Sequence, residues 1–202
     1  MDNPIRADLF VEDRAHEEFL LALLKRVARD HRRGIEIRVR SARGGHGRVL
    51  SELNLYQKAV LKGLGGLTIP DLLVIGIDAN CQPYHKVRNR ISIELNARFQ
   101  HRAVIACPDP HIERWYLADV GAFGEVAGSV PRVEKRKCER DRYEAILSQA
   151  VVDGGHVPTL GGIEFAREIV EAMNLYRAAR AEKSLKAFLD DLIDRIGGTR
   201  PQ

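Results

Sequence analysis

The segment PDLLVIGIDAN (70–80) constrains this chain more than any other. From Leu72 to Ile77 it runs six apolar residues in succession, with no polar position between them. A strand with one wet face alternates apolar and polar residues. One that is apolar throughout is buried on both faces, as in a parallel sheet covered by helices above and below. Parallel neighbours need crossover connections, usually helical, so helices are expected on either side of this segment in the chain.

The flanking sequence supplies them. IRADLFVE (5–12) reads as a strand. Residues 14–33 follow as a helix with Phe19, Leu20, Leu23, Leu24 and Val27 on one face, ended by Gly34. IEIRVRSA (35–42) alternates apolar and basic residues as a strand, GGHG is a loop, and RVLSELNLYQKAVLKGL resumes helical spacing. A helix at about 85–98, a short strand RAVIACP and a helical PHIERWYLADV complete the first part. This alternation predicts an α/β fold, a Rossmann-like, mainly parallel sheet flanked by helices.

Beyond residue 121 the strand signals stop. DRYEAILSQAVV, GIEFAREIVEAMNLYRAA and SLKAFLDDLIDRI read as helices, with a loop at 154–162. Ser184 is placed to cap the last helix, and Gly197–Gly198 to end it. The expected organisation is an α/β domain over 1–120 with a helical extension, 121–202, packed on it. The composition does not shift enough to require a second domain.

With 202 residues, 45% of them apolar, the chain can bury a sizeable core. No apolar run reaches the roughly 18 residues needed to span a bilayer. MDNPIRADLF lacks the basic-then-apolar layout of a signal peptide. These features give the expectation of a cytoplasmic protein without a membrane partner. Cys81, Cys107 and Cys138 are widely spaced with no C-x-x-C pair, so unpaired thiols are expected. The formal net charge of +4 permits a polyanionic partner without demanding one.

Ligands of open α/β sheets gather beyond the carboxyl ends of the strands, and acids stand at three such places. Glu12 closes the first strand, with Asp13 and His16 behind it. A carboxylate there can bind a hard cation or act as a general base, or these residues cap the helix, a role that suits Asp13. Asp78 closes the apolar strand with Asn80 two positions on. The pair suits Mg2+ or Mn2+, although Asp and Asn also favour a simple turn. Asp109 and Glu113 follow the last strand. A fourth element, RGGHGR, combines backbone amides with arginines; Arg40, Arg43, His46 and Arg48 could hold a phosphate backbone. It lacks the Lys-Ser/Thr of an NTPase loop.

LFVE at 9–12 and IGIDAN at 75–80 match in position and order the glutamate and the later Asp-x-Asp of the TOPRIM fold, shared by topoisomerases, DnaG-type primases and overcoming-lysogenization-defect nucleases, which the chain resembles over about residues 5–120. VEDRAHEEF, IDAN and PDPHIERWYLAD look more narrowly like an uncharacterised bacterial TOPRIM-like family whose members often sit near ATPases in phage-defence loci. Two positions depart from the pattern: Asp13 stands where glycine commonly follows the first glutamate, and Asn80 replaces the third acid.

The resemblance implies roles. Glu12 would be a metal ligand or general base, Asp78 the principal Mg2+ or Mn2+ ligand and Asn80 an auxiliary one. Glu113 would be part of a second metal site, and Asp13, His16, Asp109 or Glu113 could compensate for the missing third acid. His16 would protonate a leaving oxygen or orient a phosphate. The implied activity is metal-dependent phosphodiester cleavage of nucleic acid, DNA rather than RNA, by an anti-phage effector working with an ATPase. Two other readings stand beside it. One is a catalytically weak or inactive subunit that binds nucleic acid, nucleotide or a protein partner. The other is a phosphatase of small substrates.

Overall fold

The computed structural model describes residues 3–40, 46–133, 138, 139 and 141–198. Four strands form one all-parallel sheet. β1 (Ile5–Val11) leads to α1 (Arg14–Asp30), then β2 (Ile35–Val39), α2 (His46–Leu61) and β3 (Leu72–Gly76). After β3 come α3 (Tyr84–Ile93), α4 (Ala97–Gln100) and β4 (Ala103–Ala106). The order across the sheet is β2-β1-β3-β4, so β1 and β3 are central. Val11 pairs with Gly76, and Gly76 in turn with Ala106.

The uniform apolar run of β3 is divided between two cores. Leu72 and Val74 face α1 and the C-terminal helices, packing with Leu9, Phe19, Leu23 and Trp115. Leu73, Ile75 and Ile77 face the other way, onto Val49, Leu53, Val87 and Phe99 of α2, α3 and α4. All five residues of the strand are buried, which is what the absence of alternation implied. Edge strand β2 keeps its alternation, with Glu36 and Arg38 exposed.

The remaining helices are α5 (Glu113–Tyr116), α6 (Val120–Ala127), α7 (Arg142–Asp153), α8 (Ala166–Ala172), α9 (Leu175–Ala181) and α10 (Lys183–Gly197). They share a core with the α1 face of the sheet: Phe123, Leu147, Ile169, Phe188 and Leu192 are all completely buried there. Arg26 of α1 donates to the Met173 carbonyl at 2.7 Å, and Arg29 grips Glu171 with two bonds of 2.8 and 2.7 Å. Among the described residues no helix is long and apolar enough to cross a membrane.

Three local expectations need correction. The single helix read over 162–179 is two, because Asn174 breaks it: its side chain caps α9 by accepting from Arg177 N–H at 3.0 Å, and its own N–H goes to Asp119 at 2.9 Å. Ser184 does not cap α10, which starts at Lys183. It is buried and accepts from the Trp115 indole at 2.9 Å. The thiols are not all unpaired either. Cys81 and Cys138, with Cα atoms 5.5 Å apart, form a disulfide across 57 residues, while Cys107 stays free and buried.

A candidate metal centre at the carboxyl ends of β1 and β3

The strand order reverses direction between β1 and β3, which makes their carboxyl ends the topological switch point where ligands of such sheets bind. Glu12 follows β1 directly. Its N–H donates to Gly76 O at 3.1 Å, extending the ladder by one bond, and its Oε2 accepts from the Asp78 N–H at 3.2 Å. The chain after β3 is held on its other side: Ile77 N–H donates to Ala106 O at 3.0 Å and Ala79 N–H to Pro108 O at 2.8 Å. Asp78 is thereby fixed, 8% exposed, between the ends of β1 and β4.

Only Glu12 and Asp13 separate β1 from α1, so the first turn of the helix stands over the strand ends. Asp13 is its N-cap, accepting from the His16 N–H at 3.0 Å. The same oxygen lies 2.8 Å from Nδ1 of the His16 ring. His16 is completely buried, and its Nε2 lies 3.1 Å from Asp78 Oδ1. That contact is an ion pair not aligned as a hydrogen bond, and neither atom has another hydrogen-bond partner among the described residues. The second Asp78 oxygen lies 3.2 Å from Nδ1 of His111. Gly76 makes the close approach of α1 feasible: a Cβ there would sit 2.6 Å from Leu20 Cδ1 and 3.4 Å from His16 Cδ2.

Glu12, His16 and Asp78 each offer one ligand atom, all within 4.8 Å of one another. Above them lies a cleft of about 710 Å³ lined by Glu12, Asp13, Asp78, Asn80, His111 and Glu113, with the Cys81–Cys138 bridge on its rim. A larger cavity of about 880 Å³ opens at the opposite, amino-terminal end of the sheet, next to Arg6 and Asp71. These two are already paired at 3.1 Å, and among the described residues no comparable group of metal donors lies there.

The electrostatics follow from burial and from this pairing. Burial raises the Glu12 carboxyl, His16 opposes that, and the rise wins. Burial would also raise Asp78, but His16 and His111 outweigh it and hold Asp78 below the ordinary carboxylate range. Burial would lower His16; Asp78 and Asp13 more than offset it and push the ring well above its usual value. The bond to Asp78 raises His111 despite partial burial. Burial pushes Glu113 up to about 7, with the Asp78 charge adding to it. An orphaned pair of buried donor atoms amid concentrated negative charge suits a cation, so the residues present fit a divalent metal.

The structure brings Glu12, His16 and Asp78 together and places Glu113 on the cleft wall. Asn80 is exposed at the rim with φ 46°, outside the three-residue group. Among the described residues Asp109 is not one of those lining the cleft. Of the basic residues, Arg40 pairs with Asp8 at 3.3 Å and lies over the Tyr56 ring, and Arg48 pairs with Glu52 at 3.0 Å. Arg43 and the His46 side chain lie outside the described residues. His111 is not among the residues expected from the sequence, where the acids around it carry the stronger signal. A histidine two residues before Glu113, just past a strand, was the available signal. Compared with family models, curated proteins and solved structures, the chain matches none.

Proposed function

We propose that this chain is a divalent-metal-dependent phosphodiesterase acting on the backbone of nucleic acid. The observation that carries the reading is the Glu12–His16–Asp78 group at the β1/β3 switch point, on the floor of an open, acid-lined cleft. Glu12, Asp78 and His16 would hold the ion. Bound there, it would neutralise phosphate charge and acidify water. The chain's own side chains do the rest. Asp78 orients His111 through the 3.2 Å contact to Nδ1, holding that ring on the cleft wall where it can donate to a phosphate oxygen. Glu113 is a carboxyl whose affinity for a proton is raised by burial, able to hold or release one beside the reacting phosphate. His16, enclosed at the floor, supports the ion in place of the leaving-group acid expected from the sequence.

Asp13 in place of glycine and Asn80 in place of the third acid favour a silent, binding-only subunit; the nitrogen that His16 offers from α1 weighs against it. The choice of a polymeric substrate over a small one derives from the resemblance. An ATPase partner and a part in phage defence belong to the same proposal and derive from the resemblance; the cytoplasmic setting, expected from the N-terminal sequence and the short apolar runs, stands against the Cys81–Cys138 bridge, a kind of bond rare in that compartment.

The test is cleavage of plasmid, linear and single-stranded DNA and of RNA with Mg2+, Mn2+ or EDTA, with wild type beside Glu12→Ala and Asp78→Ala. Metal-dependent cleavage abolished in both variants is expected. Cleavage that survives both overturns the assignment. A folded, metal-loaded protein that binds nucleic acid but never cuts it favours the binding subunit.

A further inference from the structure

We propose that His16 Nε2 is a direct ligand of the ion, and that the site therefore selects a first-row transition metal over Mg2+ and Ca2+. The inference rests on the reading above that the cluster holds a divalent cation, and it names which class of cation.

Three features of the His16 surroundings lead there. The first is Asp13. As N-cap its carboxylate is fixed by the helix backbone, and the oxygen that takes the His16 N–H at 3.0 Å also faces Nδ1 at 2.8 Å. An anchored carboxylate on Nδ1 places a proton there and leaves Nε2 for the ion. This is the outer-carboxylate arrangement that orients metal-binding histidines. The second is burial. His16 has no exposed surface, and among the described residues its Nε2 faces only Asp78 Oδ1, at 3.1 Å and without an aligned hydrogen bond, so the buried nitrogen is free to turn to a cation that both atoms share.

The third is spacing. Nε2 and Asp78 Oδ1 stand 3.1 Å apart without an aligned hydrogen bond between them. In the absence of an ion a proton on Nε2 holds the two atoms at that distance, and a divalent ion binding there would take that proton's place. Ligands at right angles on an ion with bonds of about 2.1 Å are about 3.0 Å apart, so one shared cation fits the same separation. The Glu12 oxygen completes the group within 4.8 Å.

A site built only of oxygens suits Mg2+ or Ca2+. Replacing one of them with imidazole favours Mn2+, Fe2+, Co2+ or Zn2+, with affinity rising along the series as nitrogen donation counts for more. His16 therefore provides the third ligand that Asn80 does not, and it changes the metal that the site prefers.

The experiment uses the full chain and two probe ions, Co2+ followed by its visible absorption and by calorimetry, and Mg2+ by calorimetry. Wild type is compared with His16→Gln and Asp13→Asn, with circular dichroism confirming the fold of each. Wild type is expected to bind Co2+ at least tenfold more tightly than Mg2+. His16→Gln should abolish that preference and change the absorption envelope. Asp13→Asn retains a helix cap but weakens the hold on Nδ1, and should reduce Co2+ affinity about 10- to 100-fold with little change for Mg2+. The Asp13 variant decides the matter if His16→Gln fails to fold. Equal affinity for the two ions, or a Co2+ spectrum and affinity unchanged in the variants, overturns His16 as a ligand and leaves the metal site standing. A folded wild type that binds neither ion overturns both.

Discussion

Replacing Gly76 with alanine would place a methyl group 2.6 Å from Leu20 Cδ1, 3.2 Å from Val11 Cγ1 and 3.4 Å from His16 Cδ2. Carbon atoms settle at about 3.5–4.0 Å, so Leu20 must retreat by about 1 Å. It has no solvent-exposed surface and nowhere free to go, so α1 must lift or the rotamer must strain. Overpacking of this kind costs about 1–3 kcal/mol, or a fall in Tm of about 2–12 °C for a chain of this size.

The assay is urea denaturation of wild type, Gly76→Ala, Leu20→Ala and the double variant. Leu20→Ala alone should cost about 2–5 kcal/mol through the cavity it leaves. In that background the new methyl group has room, so the double variant should be about 1–2 kcal/mol more stable than the sum of the single effects. Gly76→Ala should also weaken Co2+ binding, because the helix that lifts carries His16. Strict additivity, within about 0.5 kcal/mol, would refute the claim that Gly76 is small in order to seat α1 over the strand ends.

Two further perturbations test other parts of the account. The Cys81–Cys138 bridge closes a loop of 57 residues, which corresponds to about 4 kcal/mol at 25 °C in the chain-entropy model. Dithiothreitol or the double Cys→Ser variant should therefore lower Tm by about 8–16 °C, and a Tm indifferent to reductant would contradict the pairing. Asp119 caps α6 and accepts from Asn174 N–H at 2.9 Å and from Arg177. Asp119→Ala should cost about 2–3 kcal/mol, from a lost cap and an unsatisfied amide. Burial would raise the Asp119 carboxyl, but the Arg177 guanidinium and the backbone donors hold it below its ordinary value. Its stabilisation is therefore complete above the unfolded pKa of about 3.9 and is lost as pH falls through the lower folded value. Acid titration of stability should flatten in this region in Asp119→Asn, and an unchanged acid limb would contradict the assignment.

The parts of this structure that could be read in advance were those written in local patterns. Apolar residues from Leu72 to Ile77 announced a doubly covered strand, and the spacing of Phe19, Leu20, Leu23, Leu24 and Val27 announced α1. Strand ends followed from those elements, and with them the positions of Glu12 and Asp78. What escaped depends on contacts between distant segments. His111 meets Asp78 across 33 residues, Cys81 meets Cys138 across 57, and Ser184 meets Trp115 across 69. No periodicity encodes such pairings. Asn174 escaped for a different reason. Its capping bond competes with a helix that the apolar spacing alone would carry straight through. His16 was visible as a residue one turn past Glu12, but its role depended on complete burial, a property that only the packed structure supplies.

The most direct test of the metal centre is anomalous diffraction from crystals soaked in Mn2+, recorded at a wavelength where manganese scatters. The account predicts a peak on the floor of the cleft, about 2.0–2.3 Å from His16 Nε2, Asp78 Oδ1 and a Glu12 oxygen, and its loss in Asp78→Ala. A peak absent from that position in well-soaked crystals, or present only elsewhere on the surface, would contradict it.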